Sequence, residues 1–326
     1  MIAYAVVGTS TITKEFVAAA EGSGLRLAAI CSRETARGAA FAKEIGLAAL
    51  PVLEGVDALA AANEITAAYV ASPNSCHYAQ CMQLLCAGKH VLCEKPLTVS
   101  AAELAALQAC AAERGLILME AIMYLQTPAR RAVLETLPRI GRVTSVRIDF
   151  SQRSSRLDRL LAGELPNIFN ARLRAGAFND LGVYCVYPLL DFFGDPEELL
   201  YARFACIYPG AADTDGSALF RYPDFDAQLS WSKVGQSRGV SQIIGENGTL
   251  TVQSISQFQG VFLYDRAGNP QRLDKACAKI DTMRHEARAF YAAISGQSTR
   301  VAPGEAAALA LRVCRCMEET RDFNRK

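Results

Sequence analysis

The chain has 326 residues, 51% of them apolar and 21% charged, with a formal net charge of +1, and at roughly 150 residues per domain this fits a globular protein of two domains with room for a large core. Lysines and arginines are scattered, so there is no basic field to hold nucleic acid and no polybasic run to hold anionic lipid. No apolar run reaches the roughly 18–20 residues that span a bilayer, and the opening Met1-Ile2-Ala3-Tyr4-Ala5-Val6-Val7 lacks a basic segment before its short apolar run; a cytoplasmic protein handling small molecules is expected.

The first third of the chain alternates short apolar runs with helical periodicity. Strands are expected at 2–8, 25–32, 67–72, 89–93 and 116–119, and helices at 13–22, 34–45, 75–87 and 100–114. This βαβ alternation specifies a doubly wound parallel sheet in an α/β fold. After about residue 120 the strands lengthen and partly alternate, as at 143–150 and 225–231. Asn247-Gly248 stands between 241–246 and 249–253 as the central pair of a hairpin loop, whose residues need positive φ. The second half is therefore read as an α+β domain on a largely antiparallel open sheet, with helices near 177–193, 281–295 and 304–321. The expected boundary divides residues 1–120 from 121–326, with the C-terminal helices packing back on the first domain.

Eleven cysteines, an odd number with no CxxC pair, read as reduced, core-filling thiols of a reducing compartment. Cys76, Cys81 and Cys86 recur every five residues, so a helix turns each about 140° from the last and they cannot share a metal.

The motifs gather at the carboxyl ends of the expected strands. The first strand ends in Val6-Val7-Gly8-Thr9-Ser10-Thr11-Ile12-Thr13, where a dinucleotide-binding turn carries glycines for a tight bend and close approach of a pyrophosphate. Only the first glycine is present. With Ser10 and Thr13 in place of the others, the turn is either a wider phosphate loop using hydroxyls and a helix N-terminus or a plain strand–helix turn with a hydroxyl cap. The second strand ends in Ser32-Arg33, where an NAD-specific protein places an acid about 20 residues beyond the glycine turn. A hydroxyl and a guanidinium there either meet a 2′-phosphate or are a solvated strand end. Ser72-Pro73-Asn74-Ser75-Cys76-His77 leaves the next strand for a helix, with Asn74 or Ser75 as natural N-caps; His77 either contacts a cofactor or makes local hydrogen bonds. Gly88-Lys89-His90-Val91-Leu92-Cys93-Glu94-Lys95-Pro96 delivers a carboxylate, a lysine and a proline to a strand end, the place where open α/β sheets bind ligands. A lysine beside a cationic ring loses its proton easily. Asp180 and Tyr184 share one face if their segment is helical; they are either a substrate-facing pair or an N-terminal acid and a half-buried aromatic.

Together with 119–124, Gly141-Arg142-Val143 and 175–184, these segments resemble the Gfo/Idh/MocA oxidoreductases over nearly the whole chain. Asp180-Leu181-Gly182-Val183-Tyr184 is similar to the segment of the glucose-fructose oxidoreductase and dimeric dihydrodiol or xylose dehydrogenase branch, where inositol dehydrogenases place histidine. The resemblance implies an N-terminal Rossmann domain that binds NADP (or NAD) and an enzyme that moves hydride to or from a sugar, polyol or related carbinol. It places Lys95 and Tyr184 beside the reacting carbon and Asp180 on a substrate hydroxyl. Glu94 would orient Lys95 or contact the ribose, and Pro96 would fix the turn through a bond that tolerates cis. The implied cofactor residues are Gly8, Thr9, Ser10, Ile12, Ser32, Arg33, Ser72, Pro73, Asn74, His77, Glu94 and Lys95; no metal, nucleic acid or membrane partner is expected. A homodimer or larger assembly is expected through the open sheet, whose uncovered face carries Phe225, Leu229 and Trp231 or their opposite-parity neighbours. Arg172 and Arg174 stand where many relatives have a double glycine, which means an anionic substrate, solvated side chains or contact with cofactor phosphates. The competing readings are a non-catalytic cofactor-binding protein and a redox-neutral enzyme with a tightly held cofactor.

Overall fold

The computed structural model describes residues 1–206 and 208–323. They form two compact units, one of residues 1–126 with 278–308 and the other of 127–277 with 309 onward. The first runs β1 (Ile2–Val7), α1 (Thr11–Ala20), β2 (Leu25–Ser32), α2 (Thr35–Glu44), β3 (Val52–Glu54), α3 (Gly55–Ala61), β4 (Ala67–Val70), α4 (Asn74–Cys86), β5 (His90–Glu94), α5 (Ala101–Glu113) and β6 (Leu118–Ala121). Its six strands are parallel in the order β3-β2-β1-β4-β5-β6. The chain winds outward from β1, then returns to β4 beside it and winds the other way, so the carboxyl ends of β1 and β4 flank the point where such sheets open a crevice. All four residues of β4 are buried, which is why this half reads as continuous apolar runs rather than alternation. Edge strand β3 and helix α3 carry no sequence signal, because a three-residue strand is too short to show periodicity.

The second unit contains α6 (Pro128–Thr136), β7 (Val143–Ser151), α7 (Leu157–Leu161), a π-helical turn at Phe178–Gly182, α8 (Val183–Phe193), β8 (Glu198–Ala205), β9 (Asp215–Arg221), β10 (Asp226–Ser232), β11 (Ser241–Gly245), β12 (Gly248–Ser254), β13 (Gln259–Asp265) and β14 (Pro270–Arg272), followed along the chain by α9 (Lys279–Ile294) and α10 (Pro303–Phe323). Helix α9 belongs to the first unit, where Met283, Ala287 and Phe290 join the core around Phe16 and Tyr69. The eight strands of the second unit are ordered β14-β13-β12-β11-β7-β10-β9-β8. Every pairing is antiparallel except β7 with β10. The parity left open by the sequence is settled by burial: Ala227, Leu229 and Trp231 point into the core. Register then puts Tyr201, Leu219, Gln228, Arg147, Gln242, Thr251 and Phe262 in one row on the opposite face, so that face is mixed rather than apolar.

Two expectations need correction. The hairpin between β11 and β12 closes on the pair Gly245 and Gly248, so its loop is Glu246-Asn247, one residue earlier than expected, and neither loop residue has positive φ. Gly248 is already paired in β12, and the position takes glycine because a Cβ there would stand 2.5 Å from the Tyr264 carbonyl oxygen on β13. The segment of Asp180 is not a simple α-helix: 178–182 is a π-turn that passes into α8, so the spacing of Asp180 and Tyr184 is not that of two neighbours in one regular α-helix. A Cβ on Gly182 would meet the Phe178 ring at 2.4 Å, which gives that glycine its place beneath the ring.

This turn is held from several sides. The Phe178 N–H donates to Asp213 Oδ2 at 2.7 Å, and Arg321 donates to Asn179 Oδ1 at 2.8 Å with its guanidinium 6.0 Å from the Phe178 ring. Burial raises the Asp213 carboxyl from 3.8 to about 6, against the Phe178 hydrogen bond and the Lys233 and Arg321 charges. Because the folded value lies above the unfolded one, the native state keeps this proton longer, and stability falls as pH rises from about 4 through 6. Asp213→Asn keeps an acceptor for Phe178 and removes the titration. Urea unfolding of both proteins should show the wild type losing roughly 3 kcal/mol relative to the variant between pH 4 and pH 7; parallel pH profiles would contradict the assignment.

Candidate active site

At the end of β1, Gly8 has φ +106° and a Cβ there would stand 2.7 Å from the Ala71 carbonyl oxygen, so only glycine lets the chain pass this close to the end of β4. Ser10 and Thr13, which replace the remaining glycines, form a capping box on α1: the Thr13 N–H donates to Ser10 Oγ at 3.4 Å and the Ser10 N–H to Thr13 Oγ1 at 3.3 Å. Thr9 Oγ1 accepts from Arg37 Nε at 3.0 Å. Arg33 and Arg37 are both exposed beyond the end of β2, while Ser32 is buried and its Oγ accepts from the Glu34 N–H at 3.4 Å. Ile12 is half-buried in the first turn of α1. A close-approach glycine, a helix N-terminus and two guanidinium groups at one sheet end suit a phosphorylated dinucleotide. Arg37 escaped the sequence reading, because its partner Thr9 stands 28 residues away along the chain.

The second group lies at the ends of β4 and β5. The Tyr69 hydroxyl donates to Glu94 Oε1 at 2.5 Å, and Phe16 stacks on the Tyr69 ring at 3.8 Å. Burial pushes the Glu94 carboxyl up, and the Lys95 charge and the Tyr69 hydrogen bond oppose it. The bond from Lys95 to Pro96 is cis. His77 is fully buried, with Nδ1 2.9 Å from the Pro96 carbonyl oxygen and Nε2 2.8 Å from that of Ser72. Burial pushes its pKa down despite these two acceptors. Of the two roles left open for His77, the structure shows the local one: the ring ties the exit of β4 to the turn after Lys95. The Leu97 N–H completes the brace by donating to Glu120 Oε1 at 2.9 Å. Neither Asn74 nor Ser75 caps α4; Pro73 occupies the N-cap position without a side-chain bond, and Ser72 Oγ instead donates to Gln80 Oε1 at 2.6 Å. On α9, Glu286 is buried with no hydrogen bond to either carboxyl oxygen among the described residues, and burial together with the nearby Glu94 charge holds its pKa well above the usual range.

The third group belongs to the second unit. Asp180 Oδ2 is 2.8 Å from Lys233 Nζ, which is buried just beyond β10. The same ammonium donates to the Ile168 carbonyl oxygen at 3.0 Å and lies 5.5 Å from the Phe169 ring centre. A buried ammonium of this kind is fixed in position, because moving it would leave a charge unpaired in a low dielectric. Lys233 was not foreseen, since its partner is distant in sequence. Tyr184 is buried and stands edge-on to Phe150 at 5.6 Å. Arg172 is exposed, and the Arg174 carbonyl oxygen accepts from Asn179 Nδ2 at 3.0 Å. Among the described residues no cluster of three or more His, Cys, Asp or Glu could hold a metal, and no helix is long and apolar enough to cross a membrane.

Residues 2–122 match the family described as oxidoreductase family, NAD-binding Rossmann fold, and 137–251 match the GFO/IDH/MocA C-terminal domain. The chain is 36% identical to the oxidoreductase YgjR of Escherichia coli over 89% of its length and 87% of that protein. It is 32% identical to the scyllo-inositol 2-dehydrogenase (NADP(+)) IolU of Bacillus subtilis, covering 84% of this chain and 82% of the relative. Among solved structures, KijD10, a 3-ketoreductase from Actinomadura kijaniata in complex with NADP and TDP-benzene, superposes with a TM-score of 0.84 at 25% identity over 98% of this chain and 97% of that one. On these matches, the chain belongs to the GFO/IDH/MocA family of NAD(P)-dependent oxidoreductases.

Proposed function

We propose that this protein interconverts a ring hydroxyl and a ketone on a sugar or polyol, with NADP preferred over NAD. The observation that carries this reading is Lys95, set at the carboxyl end of β5 and braced by the Tyr69–Glu94 and His77–Pro96 contacts. The relatives named above as an inositol dehydrogenase and a 3-ketoreductase support the same chemistry.

A bound nicotinamide would supply the hydride acceptor of the oxidation and the hydride donor of the reduction. Gly8 and the N-terminus of α1 would hold its phosphates, and Arg33, with Arg37, Thr9 and Ser32, the 2′-phosphate. Lys95 takes the hydroxyl proton at Nζ during oxidation and returns it during reduction. Tyr184 supplies a second hydroxyl to the reacting oxygen, and Asp180, fixed by Lys233, accepts a hydrogen bond from a substrate hydroxyl. The mixed outer face of the large sheet is the proposed seat of a second copy of the chain.

Lys95→Met should retain the fold and cofactor affinity and lose about 10²–10⁴-fold in turnover on a polyol panel, the range for a positioned acid–base group; near-normal turnover would refute the role. Arg33→Ala should weaken NADP roughly 10–100-fold and leave NAD unchanged, since a charge-assisted contact contributes about 1.5–3 kcal/mol. Equal weakening of both cofactors would remove the arginine from the 2′-phosphate. Light scattering across a dilution series should give at least a dimer at micromolar concentration, and a monomer there would contradict the proposed interface.

A further inference from the structure

Five of the eleven cysteines, Cys76, Cys86, Cys110, Cys206 and Cys277, are not buried and so depart from the core-filling role read from the sequence, and two of these five lie together. Cys86 is the last residue of α4 and Cys110 lies in the last turns of α5, and their sulfurs are 3.9 Å apart. Cys86 is exposed and Cys110 half-buried, whereas Cys31, Cys81, Cys93, Cys185, Cys314 and Cys316 are buried. Cys81 and Cys93 also pair, but inside the sheet core, out of reach of a dissolved oxidant. At the exposed pair, Arg114 at the end of α5 lies against both sulfurs, which together push its guanidinium pKa up. Thiol exchange runs through the thiolate of an accessible cysteine.

We propose that Cys86 and Cys110 form a reversible redox-modification site whose co-reactant is a low-molecular-weight disulfide of the glutathione type. The exposed Cys86 thiolate attacks one sulfur of the disulfide and expels a thiolate, forming a mixed disulfide. Cys110 loses its proton and attacks the Cys86 sulfur, which expels the second small thiolate. The two protein thiols are oxidised to one disulfide, and the small disulfide is reduced to two thiols. The sulfurs must close from 3.9 Å to about 2.05 Å. Cys86 can supply that movement, since the helix ends there and the chain continues through Gly88 at φ +76°, where even a Cβ would meet nothing within 4 Å. The closed loop contains β5 and Lys95, so oxidation staples α4 to α5 around the segment that carries the lysine.

The test is incubation of the full chain with oxidised glutathione under native conditions, alkylation of the remaining thiols and peptide mapping by mass spectrometry. The expected product is a peptide linking Cys86 to Cys110, reversed by dithiothreitol, with two fewer alkylated thiols than the reduced protein. Cys110→Ser should stop at a glutathione adduct on Cys86, and Cys86→Ser should give no link. The linked wild type should melt at a higher temperature than the reduced one, because a cross-link constrains the unfolded chain. Adducts spread evenly over Cys86, Cys206 and Cys277 without a link would overturn the proposal, as would a link that leaves the melting temperature unchanged.

Discussion

The carboxyl group of Glu94 sits half-buried beside Lys95, and taking a carboxylate out of water without partners costs free energy. Its main fixed partner is the Tyr69 hydroxyl. That hydroxyl is itself immobile, because the Tyr69 ring is fully buried and stacked on Phe16. Register places Tyr69 opposite Leu92 in the parallel pair of β4 and β5, so the tyrosine reaches Glu94 from the neighbouring strand. The direction of Lys95 thus depends on a line of residues that runs from α1 through β4 to β5. His77 and Glu120 fix the chain on the far side of the lysine by holding the Pro96 carbonyl and the Leu97 N–H.

The second unit solves the same problem with charges. Asp213, Arg321 and Lys233 come from separate parts of that unit and hold Phe178, Asn179 and Asp180 in turn. Phe178 opens this helical segment, so its N–H has no acceptor within it, and these side chains fix the geometry of the π-turn. Such turns recur at functional sites, which accords with the substrate role proposed for Asp180.

Much of this was legible in the sequence for one reason: residues whose role is local announce themselves. Strands buried on both faces gave the doubly wound sheet, and Gly8 marked the tight bend at the end of β1, though not its close approach to Ala71. Ser10 and Thr13 were open to reading as a cap because both partners lie in one helical turn. The hairpin was read one residue late because Gly248 answers to the backbone of β13, not to its own turn. Tyr69, Arg37 and Lys233 were invisible for the same reason. Their partners Glu94, Thr9 and Asp180 are brought to them only by the assembled sheets, and no local periodicity encodes that.

The most direct test of the central claim is the pH dependence of turnover in Tyr69→Phe, which removes one hydroxyl and leaves the ring on Phe16. Without that donor the Glu94 carboxyl loses a contact that lowers its pKa, so it should gain its proton at higher pH and the acidic limb of the kcat profile should move upward. Cofactor affinity and the unfolding transition should stay close to those of the wild type. An unchanged kcat with an unmoved acidic limb would show that Lys95 works without the Tyr69–Glu94 brace.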